Sequence, residues 1–212
     1  MESMPERGIK MLRKTNLNKS LCCLVLLPLF IFTLVAGCKS KESYKRDIER
    51  KGVTYSTESF LNVAKTGNKE MIALFMKAGM DVNVKGGGGE TALMLTAVNH
   101  NIELLKFLFD NGADVNAMNN DGYTTLMFVS SQGDAELAKL LIEKGADMNV
   151  QNNNGETALM LAALNDSVET SRMLVDKGAD IHIKDNKGNK AVDYAFLNDQ
   201  ISALLRESTA EK

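Results

Sequence analysis

Few side chains in this 212-residue chain could do chemistry. Its two histidines, His100 and His182, would be the first choice for proton transfer near neutral pH or for holding a transition metal. Its three cysteines, Cys22, Cys23 and Cys38, could supply thiolate for zinc or for covalent work. The run Gly86-Gly87-Gly88-Gly89 could present backbone N–H groups to a phosphate. The Asn- and Asp-rich stretches Asn119-Asn120-Asp121 and Asn152-Asn153-Asn154 carry oxygens of the kind calcium prefers.

Spacing removes most of these options. No Gly-Lys-Ser/Thr follows the glycine run, and no strand-then-helix pattern surrounds it. The Asn/Asp stretches lack the ligand order of a calcium loop with its terminal Glu. The histidines make no ligand cluster, and no Ser–His–Asp or paired-carboxylate arrangement can be built. The expectation is therefore no catalytic residue, no cofactor and no metal. The formal net charge of −2 gives no basic excess for nucleic acid. At 44% hydrophobic and 25% charged, the composition is that of a globular domain.

The elements that would position these groups explain them instead. Gly89, Gly122, Gly155 and Gly188 are each 33 residues apart. Gly79, Gly112, Gly145 and Gly178 keep the same interval, as do Asp81, Asp114, Asp147 and Asp180. Asn83, Asn116 and Asn149 form a further series, with His182 in its fourth slot, and Glu70, Glu103, Glu136 and Glu169 another. Recurrence at a fixed period marks structural roles and a stacked-repeat architecture. Within one unit, 91–112, two apolar runs with helical spacing flank Asn99-His100-Asn101. Glu103 lies in the first turn of the second run, where the helix dipole favours an acid. Gly112 ends it in the manner of a left-handed terminal residue. His100 takes the slot that Gly67 and Gly133 fill elsewhere, so it is expected in a left-handed helix-end conformation.

These units resemble the ankyrin repeat family. The family's Gly-x-Thr-Pro-Leu-His turn appears as Gly89-Glu90-Thr91-Ala92-Leu93-Met94, Gly122-Tyr123-Thr124-Thr125-Leu126-Met127 and Gly155-Glu156-Thr157-Ala158-Leu159-Met160. Its Gly-Ala-Asp-Val-Asn loop appears at 112–116. The resemblance implies an all-α solenoid of helix-turn-helix units with β-hairpin-like finger loops, covering 56–207. An N-terminal cap spans 56–85, full repeats 86–118, 119–151 and 152–184, and a C-terminal cap 185–207, with a frayed tail at 208–212. Met replaces the family's His, so apolar packing is expected where the family has polar bridging. Thr170 takes a usually aliphatic place on a second helix.

Residues 1–37 differ from the rest. Arg7, Lys10, Arg13, Lys14 and Lys19 precede an apolar run from Leu21 to Ala36. A basic start, an apolar centre shorter than a membrane span and a small-residue junction describe an export signal. Leu34-Val35-Ala36-Gly37-Cys38 resembles the lipobox of bacterial lipoproteins, which implies cleavage between Gly37 and Cys38 and lipid on Cys38. An ordinary signal peptide with an incidental Cys is the alternative. Five of the 25 basic and two of the 27 acidic residues precede Cys38, leaving the remainder at net −5. Residues 38–55 read as a polar tether, either flexible or forming a short helix over 43–51.

The ankyrin resemblance implies another protein as partner, held along the finger tips and first helices. The positions that vary between repeats there are Glu90, Tyr123 and Glu156 after the finger glycine, and Val98, Asn99, Ser131, Gln132, Leu164 and Asn165 along the helix. Phe128 is either an anchor or core. The expected function is a lipid-anchored, protein-binding module of the bacterial cell envelope, on the outer membrane facing the periplasm. The alternatives are a regulator or stabiliser of an exported enzyme, and a surface-exposed protein binding host molecules.

Overall fold

Threonine sets where the three central inner helices begin. The side chains of Thr91, Thr124 and Thr157 accept the backbone N–H of Met94, Met127 and Met160, each at 3.3 Å. Each satisfies a donor that the first turn of a helix leaves without an internal partner. Ser56 does the same for Ser59. Three of the second helices start on an amide or carboxylate residue: Asn68, Asn101 and Asp134 accept from the backbone N–H of Met71, Leu104 and Leu137.

The computed structural model describes residues 39–195 and 198–210. Among these, the helices are α1 (Lys41–Arg50), α2 (Thr57–Thr66), α3 (Lys69–Lys77), α4 (Ala92–Val98), α5 (Ile102–Asp110), α6 (Thr125–Ser131), α7 (Ala135–Glu143), α8 (Ala158–Leu164), α9 (Val168–Asp176), α10 (Ala191–Tyr194) and α11 (Asp199–Ala210). They form two rows. The inner row packs α2 on α4, α4 on α6, α6 on α8 and α8 on α10. The outer row includes α1 on α3, α7 on α9 and α9 on α11, and α3, α5, α7, α9 and α11 each also pack on the inner helix of their own unit. The result is the helical solenoid expected from the repeat registers.

The core runs continuously between the rows. Leu93, Leu126 and Leu159 are buried from the inner side, and Leu104, Leu105, Leu108, Leu137 and Leu141 from the outer. Met94, Met127 and Met160 are buried too, which is the apolar packing expected at the family's histidine position. Met160 keeps a polar use as well, since its Sδ accepts the Thr157 N–H at 3.4 Å.

Two expectations about the ends are corrected. Of the two readings of the tether, the short helix is the one observed, as α1 over Lys41–Arg50 rather than 43–51, and it is not a free spacer, because the unit that contains the repeats begins at Lys41. Ile48 is fully buried and Tyr44, Val53 and Tyr55 pack against the core. Tyr55 stacks on Phe75 with ring centroids 5.5 Å apart, and its hydroxyl donates to the Ala78 carbonyl. Too few aliphatic residues for an independent core proved enough for an added outer-row helix, because α3 supplies the other side. At the far end α11 continues to Ala210, so the backbone expected to fray from Ser208 is helical over three further residues. The signal segment 1–37, with Gly37, and the lipidation candidate Cys38 lie outside the described residues.

The helix α9 is built less well than its counterparts. Ser167 makes no side-chain capping bond. Thr170 and Ser171 are fully buried, and their hydroxyls have no hydrogen-bond partner among the described residues. Thr125 and Ser130 on α6 share that condition. Buried hydroxyls without partners cost stability.

Candidate functional site

The inner row and the loops that overhang it form one continuous face. Each loop ends in a tight turn closed by a pair of backbone bonds. In the second turn, the Asn119 N–H donates to the Tyr123 carbonyl and the Gly122 N–H to the Asn119 carbonyl, each at 3.0 Å. The same pattern closes 86–90, 152–156 and 185–189. The glycine run is thus the tip of the first finger. A single antiparallel bridge, Met118 with Thr124, is the extent of β-structure among the described residues.

Neighbouring fingers are bonded to one another. The N–H groups of Asn120, Asn153 and Asn186 donate to the carbonyls of Gly88, Asp121 and Asn154 at 2.9–3.0 Å. Their side-chain amides donate to Gly87, Asn120 and Asn153. At the base of the fingers Asn83, Asn116 and Asn149 accept the N–H of Asp114, Asp147 and Asp180, each at 2.8 Å. The polar bridging absent at the methionine positions is therefore supplied by asparagine. Gly122 has φ +79°, and a Cβ there would lie 2.8 Å from the Asn153 nitrogen. Backbone conformation and the next finger both require glycine.

The sequence-predicted partner residues separate into two groups. Tyr123 and Phe128 come together, ring centroids 5.2 Å apart, and both are half-buried. Phe128 is thus on the groove face rather than in the core. Glu90 and Glu156 stand one repeat to either side of Tyr123 in its own register. Val98 and Leu164 are each 46% exposed, far more than an inner-row aliphatic needs to be. Gln132 is exposed and Ser131 half-exposed, its hydroxyl donating to the Phe128 carbonyl. Asn99 and Asn165 are exposed but committed to the scaffold. Asn99 Nδ2 donates to Lys65 and Leu95 carbonyls, and Asn165 Nδ2 to Leu161.

Sequence reasoning missed two groove residues. Leu95 and Tyr194 share the register of Phe128, and the interval of 33 was the signal that could have found them. Both are half-buried and line recesses of the face, whereas Leu161 in the same register is buried in the core. At the N-terminal end a groove of about 670 Å³ lies between Leu61, Lys65 and Leu95 of the helices and Lys85, Gly86 and Glu90 of the first finger.

The electrostatics are distinctive at the other end. The Asp185 carboxylate accepts the Tyr194 hydroxyl at 2.6 Å and the N–H groups of Asn189 and Lys187. These bonds, the tyrosine's first, hold its pKa down to about 2. Burial and the Asp185 carboxylate raise that of Tyr194. Burial raises the Tyr123 hydroxyl too, and Glu156, beside it with Asn152, adds to the effect. Glu156 acts on Tyr194 as well, so it stands between the two tyrosines.

The histidines sit where the registers put them. His100 has φ +52° and shares its slot with Gly67, Gly133 and Asp166. Its Nδ1 bonds the Asp134 carboxylate of the next unit. His182 donates its backbone N–H to Asp180, as Asn83, Asn116 and Asn149 donate theirs to Asp81, Asp114 and Asp147. Among the described residues no group of three or more His, Cys, Asp or Glu is placed to hold a metal ion.

A two-row helical stack with bonded fingers and a half-apolar groove is the architecture of a repeat-built binding scaffold. The family profile for ankyrin repeats in three copies matches residues 44–119, 60–152 and 126–212, and the chain belongs to the ankyrin repeat family. Its first match begins within α1, in keeping with that helix being part of the stack. No curated protein matches the chain. The ankyrin repeats indicate a protein-binding module.

Proposed function

We propose that this chain is an envelope lipoprotein of a bacterium, anchored through acylated Cys38, that holds one partner protein along the groove between fingers and inner helices. It acts by binding rather than catalysis. The observation that supports the binding face is the half-buried Tyr123–Phe128 pair at the centre of the array, flanked by exposed Val98 and Leu164. Aromatic side chains in such positions dominate interface energetics. The observation that supports the anchor is the junction Leu34-Val35-Ala36-Gly37-Cys38 behind a basic, apolar leader. Acyl chains contribute about 0.8 kcal/mol per buried CH₂, enough for stable attachment when more than one is present. Lys39 rather than Asp follows the cysteine, which favours the outer membrane, facing the periplasm.

Two experiments test the two halves. Metabolic labelling with radioactive palmitate should mark the chain and fail to mark a Cys38→Ala variant; equal labelling would refute the anchor. A photo-crosslinking residue at Ser131 should capture one defined protein in cells, and Tyr123→Ala should abolish that capture while leaving the helical spectrum intact. Unchanged capture by Tyr123→Ala would remove the aromatic pair from the interface.

A further inference from the structure

The groove has an aromatic–acidic character that narrows what can occupy it. Tyr123 and Phe128 supply two ring faces at the middle of the array. Glu90 and Glu156 supply a carboxylate on the finger to either side. Each of these glutamates accepts hydrogen bonds from its own turn: Glu90 from the Gly88 N–H, Glu156 from the Asn152 and Asn154 amides. Among the described residues neither is in an ion pair.

Lysines are nearby but engaged elsewhere or held apart. Lys65 and Lys85 line the N-terminal groove with Glu90, and Lys85 Nζ donates to the Met118 carbonyl at 2.7 Å. Lys187 lines a recess of about 140 Å³ with Glu156, Asp185 and Tyr194 without pairing with either acid. Two carboxylates without an ion pair, beside two half-buried rings, offer a cation charged acceptors and a polarisable surface together. Guanidinium and ammonium groups gain from both features at once, through charge-assisted bonds to the carboxylate and through the ring quadrupole. A neutral or acidic segment gains from neither.

We propose that the partner presents a basic segment to this groove, with an arginine or lysine side chain seated on Tyr123 and Phe128 and paired to Glu156, and a second basic side chain reaching Glu90. This rests on the reading of the groove as the protein-binding face, and it assigns the chemistry of what binds there. The net acidity of the chain after Gly37 adds a long-range attraction for such a partner, felt in the association rate. Arginine fits better than lysine, because its planar head can stack on the rings and meet the carboxylate edge-on.

The test uses the purified full-length chain in mild detergent and a fluorescein-labelled Gly/Ser peptide with interspersed arginines, read by fluorescence anisotropy. Its glutamine counterpart is the comparison. The arginine peptide should bind saturably and the glutamine peptide at least roughly tenfold more weakly, the scale of a bond to a charged group. Glu156→Gln keeps the turn's acceptor and should weaken the arginine peptide by a similar factor. Glu143→Gln, on the exposed outer row, should leave it unchanged. Tyr123→Leu should weaken it without altering its salt dependence. Equal binding of the two peptides, or equal losses for Glu156→Gln and Glu143→Gln, would overturn the proposal. In cells, capture from Ser131 that survives Glu156→Gln and Glu90→Gln would sink this assignment and leave the binding face standing. Failure of any capture would sink both.

Discussion

Gly122→Ala and Gly188→Ala make a matched pair that isolates what holds one finger to the next. Both glycines have left-handed backbone, φ +79° and +88°. Alanine in that conformation costs about 1–2 kcal/mol wherever it occurs. The surroundings differ. At Gly188 a Cβ meets nothing within 4 Å. At Gly122 it would lie 2.8 Å from both the nitrogen and Oδ1 of Asn153 and 3.0 Å from the Asn152 Cα. Backbone on the far side cannot turn away as a side-chain end can. Finger 152–156 must move out, and two bonds go with it: Asn153 N–H to Asp121, 3.0 Å, and Asn153 Nδ2 to Asn120, 2.9 Å. At about 0.5–1.5 kcal/mol for each net bond, the loss adds about 1–3 kcal/mol. Gly188→Ala should therefore cost about 1–2 kcal/mol and Gly122→Ala about 2–5 kcal/mol. Urea unfolding followed by far-ultraviolet circular dichroism measures both midpoints. Equal losses would refute the account, because only the shared conformational penalty would remain.

Other perturbations probe other parts of the stack. Ile48→Ala should destabilise by about 2–4 kcal/mol, the cost of truncating a buried aliphatic; a change under half a unit in the same urea assay would return 41–50 to the status of a tether. Thr170→Val removes a buried hydroxyl without a partner at nearly constant shape and should stabilise by about 1 kcal/mol, seen as a rise in Tm; a fall would mean the hydroxyl is satisfied in solution. Asp185 has a folded pKa of about 2 against an ordinary 3.8. The unfolded chain binds the proton first, so this contribution is whole above about pH 4 and is lost as pH falls toward 2. Asp185→Asn should flatten that part of the stability profile; an unchanged slope would show that the carboxylate is not the group responsible.

The fold was legible because its determinants repeat. Thr91, Thr124 and Thr157 announce helix starts three times over, and Gly112 and its partners announce helix ends. The left-handed backbone of His100 followed from Gly67 and Gly133 in its slot alone. The helix α1 was harder, since it occurs once. Its single fully buried residue, Ile48, carries no period, and the residues that complete its core lie on α3, over twenty positions away. The candidate site was partly legible. The variable positions at the fingers and helix faces were found, and the pairing of Tyr123 with Phe128 fits their five-residue separation across a finger-to-helix turn. The scaffold duties of Asn99 and Asn165 were hidden, because an exposed asparagine looks the same in a sequence whether its amide meets solvent or the Lys65 carbonyl. Asp185 was hidden for a related reason: its distinguishing partner, Tyr194, is set by a turn and a short helix that no single motif encodes.

The bonded fingers also fix a length scale. Inner helices of successive units pack at about 8–10 Å, and the Asn120, Asn153 and Asn186 bonds forbid neighbouring tips from drifting apart. A polyproline II segment advances about 3.1 Å per residue and turns once in three residues, so one turn of it covers one unit and brings every third side chain to the same face. Glu90, Tyr123, Glu156 and Asn189 are then spaced as teeth of a comb that would meet every third side chain of such a segment laid across them. A single inserted residue in that segment would throw every later contact out of step, while a substitution between the teeth would pass unnoticed.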